Sequence, residues 1–147
     1  MQIIKLAAAY IAAVITAYTA AAGFYTQQVL AKQAEIGAIY TPSQQAQTYF
    51  ENFIGLVPAY GLMVAIALLV GFVVAAGVKR IVVPLAPIAY PLAGAAAMWT
   101  LIWAIETFVA GGGVGAIGGA RDALGVGLQM LAGAAGGAVF EWLRPRR

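Results

Sequence analysis

Four apolar runs, at residues 6–25, 53–78, 81–105 and 123–140, dominate this chain of 147 residues. A helix needs about 20 apolar residues to cross the hydrocarbon core of a bilayer, so each run is of spanning length or close to it. Hydrophobic residues make up 63% of the chain and charged ones 9%, whereas a water-soluble domain carries roughly a quarter charged residues. Most of the surface must therefore face lipid. The expected fold is an all-α membrane protein, a single four-helix transmembrane bundle. Lys5 and the run behind it also have the order of a signal peptide; the run is read here as an uncleaved anchor.

The few charges are distributed unevenly. Across four alternating spans, Lys5, Lys79, Arg80, Arg144, Arg146 and Arg147 fall on one side, and Lys32 and Arg121 on the other. By the positive-inside rule this places both termini and the 79–80 turn in the cytoplasm, in a membrane of the bacterial inner type. Four of the five acids, Glu35, Glu51, Glu106 and Asp122, then lie on the outer side. A net charge of +3, so placed, does not suit nucleic acid.

The segment 26–52, between the first two spans, carries helical signals and is expected to form an extracytoplasmic helical hairpin. Leu30 and Ala34 are one helical interval apart, with Lys32 and Glu35 off that face. Gly37 is a candidate helix stop. In "TPSQ", Thr41 is placed as an N-cap, Pro42 as the first helical residue and Gln44 as the reciprocal capping-box partner. Pro58 then marks either a kink in the second span or its start. The third run opens with Pro84, Pro87 and Pro91, and its first half is expected to be irregular, because each proline removes a backbone donor and clashes with the preceding turn.

Glycines define the last helix. Gly115 and Gly119, and Gly133 and Gly137, form two GxxxG pairs, and a stripe of Gly118, Asp122, Gly125, Gln129, Ala132 and Gly136 repeats at helical spacing. In lipid, helices associate by close backbone approach and a few hydrogen bonds, so this face, with Gly136 and Gln129 on it, is expected to be packed while Leu124, Leu128 and Leu131 meet lipid. The alternative, a phosphate-binding loop, lacks its strand and its lysine.

Glu106 is the remaining candidate. Trp99, Trp103 and Glu106 share a helix face, and a carboxylate among aromatic rings can hold a cation. The competing reading counts residues: the uncharged run 81–105 would rise about 37 Å, which carries Glu106 past the bilayer, leaves Trp99 and Trp103 in the aromatic belt, and lets Glu106 pair with Arg121. The count favours the boundary.

Cysteine and histidine are absent, and Ser43, Asn52 and Asp122 are each the sole residue of their type. Catalytic triads, thiolate chemistry and ordinary metal sites have no residues to use, so no enzyme, cofactor or metal is expected. The expected function is a non-enzymatic membrane subunit. It would homo-oligomerise, or stabilise a larger membrane complex, through the glycine face, with membrane lipid as its surroundings. The alternative is a small channel or proton- or cation-coupled transporter working through Glu106.

Overall fold

The computed structural model describes residues 1–109, 111 and 118–145, which are almost entirely helical and contain no strand. Helix α1 runs Gln2–Glu35 and α2 Pro42–Leu56, followed by a π turn, Val57–Gly61, and α3, Leu62–Ile81. Helix α4 covers Ala89–Ala104 and continues into a second π turn, Ile105–Val109; a 3-10 turn at Gly118–Ala120 leads into α5, Ala123–Leu143. Four stretches are long and apolar enough to cross a membrane: Gln2–Glu35, Pro42–Ile81, Ala89–Val109 and Ala123–Leu143.

The end of α1 follows its sequence signals. Gly37 adopts φ +90°, its N–H donates to the Ala34 carbonyl at 3.0 Å, and the Ala38 N–H reaches back to Gln33 at 3.0 Å. This pair of bonds is a Schellman stop, and it needs a residue tolerant of left-handed backbone. Helix α2 opens on the full capping box: the Gln44 N–H donates to Thr41 Oγ1 and the Thr41 N–H to Gln44 Oε1. The turn between the two helices therefore occupies residues 36–41. Gly37→Ala is expected to cost about 1–2 kcal/mol, the penalty of a Cβ in left-handed backbone, measured by thermal melting in detergent.

Pro58 neither breaks nor starts the second span. Val57 donates to the Ile54 carbonyl and Pro58 has no N–H, so the Phe53 carbonyl loses its helical partner. The wider π turn takes up the proline, and the Tyr18 hydroxyl from α1 donates to the Phe53 carbonyl at 2.5 Å. In an apolar medium such a carbonyl requires a replacement donor, and the aromatic side chain of α1 provides it. Consequently α2, the π turn and α3 run on as one helical rod, Pro42–Ile81.

The third span differs most from expectation. It begins at Ala89, not at 81, because the prolines are used before it and in its first turn. Pro84 sits in the short 3-10 turn Val83–Leu85, Pro87 lies in the following turn, and Pro91 occupies the first turn of α4, where no N–H is needed. The body of α4 is regular.

Helix α5 packs against both α1 and α4, and α4 also packs on α3. The α1 surface that meets α5 is a ladder of buried alanines, Ala9, Ala13, Ala17 and Ala21, at four-residue steps. At the end where α1 begins and α5 ends, the core is aromatic. Phe72 stacks on Phe140 with centroids 4.6 Å apart, and Tyr90 meets Phe140 edge-on at 4.8 Å. The Tyr10 hydroxyl ties α1 to α3 by donating to the Ala65 carbonyl at 2.5 Å.

Candidate functional site

Of the stripe residues, Asp122 is exposed and Gly118 half-buried, and the covered positions lie within α5. Gly125, Gln129, Ala132, Gly133, Gly136 and Gly137 are all covered, while Leu124 and Leu131 are exposed and Leu128 is half-buried. The covering atoms belong to this chain. A Cβ on Gly136 would lie 2.8 Å from the Ala13 carbonyl oxygen and 2.8 Å from Ala17 Cβ, both on α1. Gly133 and Gly137 face α4: a Cβ on Gly133 would overlap the Gly94 carbonyl oxygen, and one on Gly137 the Tyr90 carbonyl oxygen. Gly94 is equally closed by Gly133, so the two backbones touch at that crossing. Gly119 sits against Tyr25 of α1, and Gly118 lies beside the Tyr25 hydroxyl; Gly125 closes on the Gly119 carbonyl. Gly115 lies outside the described residues. Within the single chain this surface is covered by α1 and α4.

Gln129 is the polar centre of that packing. It is 0% exposed and bonds at both ends. Its Nε2 donates to the Ala21 carbonyl of α1 at 3.0 Å, and its Oε1 accepts from the Tyr60 hydroxyl at 2.8 Å. One amide thus joins α1, the π turn ahead of α3, and α5. Above it, the buried Thr26 hydroxyl donates to the Ala22 carbonyl at 3.0 Å and accepts from Asn52 Nδ2 at 3.2 Å. Gln129 was legible from the stripe. Tyr60 was not, although Pro58 two residues earlier marks the break that turns it inward.

Asp122 works at the start of α5. Its Oδ1 accepts from the Gly125 N–H at 2.8 Å, an N-cap, and its Oδ2 accepts from Lys32 Nζ at 2.8 Å. The Lys32 bond, then the Gly125 N–H, hold the Asp122 carboxyl below its ordinary value. Lys32–Asp122 is an ion pair joining α1 to α5 at this end; Arg121 is exposed.

Glu106 is half-buried in the π turn that extends α4. Trp99 and Trp103 are exposed on that rod, and Trp103 meets Phe108 edge-on at 6.0 Å. The later start of α4 changes the depth count. From Ala89, Glu106 lies only about 26 Å along the helix, inside a hydrocarbon core of about 30 Å if Ala89 marks the opposite boundary.

At the end carrying the chain termini, a second polar group gathers around Tyr90. Arg144 grips Glu141 with two bonds of 2.7 Å, and Lys79 Nζ stands 3.9 Å from Glu141 Oε2. Both cations lie over the Tyr90 ring, 5.0 Å and 5.3 Å from its centroid. In the sequence, Lys79 and Arg144 read only as orientation signals; the 141–144 helical spacing was the available clue. Arg146 and Arg147 lie outside the described residues.

Comparison of the chain with protein-family profiles, with characterised proteins and with solved structures finds no match. The four long apolar helices define a class compatible with an integral membrane protein.

Proposed function

We propose that this chain is a non-enzymatic integral membrane subunit. It forms a four-helix bundle with both termini in the cytoplasm, and the α1–α2 hairpin stands outside the membrane as the part that contacts another subunit or a second copy. The observation that carries this reading is the shape and surface of the hairpin. Helix α1 has 34 residues and a length of about 51 Å, well beyond a hydrocarbon core of about 30 Å. The tip of the hairpin is not covered by the rest of the chain: α2 has no buried residue, and Ile36 and Ile39 are 84% and 94% exposed. Large apolar side chains beyond the lipid are a contact surface in search of a partner. The polar residues of the core support a scaffold role, because Gln129, Tyr60, Thr26 and Asn52 are engaged in bonds that join helices.

The chain has no cysteine, so the test is direct. A photo-cross-linker attached at Ile39→Cys in native membranes is expected to give one adduct of defined mass, from a partner or a second copy, while the same probe at Leu131→Cys gives none. If Ile39→Cys yields only lipid or diffuse products, the subunit reading fails.

The transporter reading is kept because of the shorter depth of Glu106. It requires Glu106→Gln to abolish proton- or cation-coupled flux in liposomes with folding intact. Unchanged flux, or none in the parent protein, dismisses it.

A further inference from the structure

We infer that the end of the molecule carrying the termini holds one anionic phospholipid, with its phosphate drawn to the Lys79–Arg144 cation pair and an acyl chain in the groove between α1 and α3. The inference rests on the membrane reading above and adds a ligand to it. Lys79 Nζ is buried, and no described residue accepts a hydrogen bond from it. An ammonium has three donors to satisfy, and at 3.9 Å Glu141 Oε2 is outside hydrogen-bond range. Glu141 is meanwhile held at both oxygens by Arg144. Two cations thus share one carboxylate over the face of Tyr90, and the excess positive charge calls for an anion with several acceptor oxygens.

The other half of the site is apolar and shares Tyr90 with the first. A groove of about 340 Å³ runs beside Leu6 of α1 and Leu69 and Phe72 of α3, with Tyr90 and Phe140 at its floor. Ala76, on its wall, is one helical turn before Lys79, and Tyr90 is both groove floor and platform for the two cations. An apolar groove whose lining includes Tyr90, the ring beneath the cation cluster, matches a lipid tail and its phosphate. A free anion would leave the groove unused, and a zwitterionic lipid would bring its own cation to a cluster already in positive excess. Basic residues at the membrane surface are the usual means of selecting anionic lipids.

The test is native mass spectrometry of the full chain in mild detergent, with phosphatidylglycerol or phosphatidylcholine of identical acyl chains added. The parent protein is expected to retain one phosphatidylglycerol in preference to phosphatidylcholine by at least about fivefold, the effect of one interfacial basic charge. Lys79→Gln should erase the preference and Lys79→Arg keep it. Ala76→Phe, which fills the groove without touching the charges, should lose the bound lipid. Equal retention of the two lipids overturns the inference, as does binding that survives Ala76→Phe. Full displacement by inorganic phosphate overturns it in favour of a bare anion site. A dimer that Ala76→Phe dissociates, with no lipid dependence, assigns the groove to a second copy and also overturns it. If Lys79→Gln fails to fold, the groove-filling variant decides alone. Adduct mass reports the lipid and bare mass the assembly, so failure here and failure of the subunit reading are separate results.

Discussion

Gly133→Leu is expected to destroy the fold, at a cost of more than about 3 kcal/mol, the upper range for overpacking a closed contact. At that position α5 touches α4 backbone to backbone: a Cβ would overlap the Gly94 carbonyl oxygen and lie 2.5 Å from Met98 Cγ. Neither obstacle is simple to move, because Gly94 is itself closed by Gly133 and Met98 is fully buried. Within lipid this close approach is the main source of helix association, so separating α4 from α5 removes the contact that α5 exists to make. Gly127→Leu is the matched control. Gly127 is on the same helix, but a Cβ there meets open space, and replacing glycine in a helix gains up to about 1 kcal/mol in propensity. Denaturant unfolding in mixed micelles, followed by circular dichroism, should show the first variant collapsing and the second unchanged or slightly stabilised.

Gln129→Leu is the second large effect, about 2–3 kcal/mol, since it leaves the buried Tyr60 hydroxyl without its acceptor and unties α1 from α5. The Ala21 carbonyl, lying in helix α1, loses an added donor only. The cost should therefore sit mainly with Tyr60, and adding Tyr60→Phe to Gln129→Leu should recover part of it. Tyr60→Phe alone should cost less than Gln129→Leu, because Gln129 still reaches Ala21. A double-mutant cycle measures this coupling; strictly additive losses would mean that the Tyr60–Gln129 bond contributes nothing.

Much of the architecture was written locally in the chain. The stop at Gly37 and the start at Thr41-Pro42 with Gln44 follow from φ preference and capping chemistry that act within a few residues. Along α5 the covered residues Gly125, Gln129, Ala132 and Gly136 keep the three- and four-residue steps read in the sequence. What spacing could not assign was the partner of that face. A glycine stripe specifies that another backbone comes close, and the backbones here are α1 and α4 of the same chain, marked by Ala9, Ala13, Ala17 and Ala21 on one and by Gly94 on the other. Hydropathy runs Ile81, Val82 and Val83 into the third span, whereas Ile81 ends α3 and the three prolines within eight residues fall in the turns before α4 and in its first turn. That later start is also what shortens the helical distance from the beginning of α4 to Glu106. The Lys79–Glu141–Arg144 group escaped notice because its members come from α3 and from the end of α5, far apart in sequence and joined only by packing around Tyr90.

The central claim is that the chain crosses the bilayer four times, with the end bearing both termini inside and the hairpin outside. Single cysteines introduced at Ile39 and at Trp142 test it most directly, using a membrane-impermeant maleimide on intact cells. The account predicts that Ile39→Cys is labelled at once and Trp142→Cys only after the membrane is opened. Immediate labelling of Trp142→Cys, or protection of Ile39→Cys until permeabilisation, would contradict it.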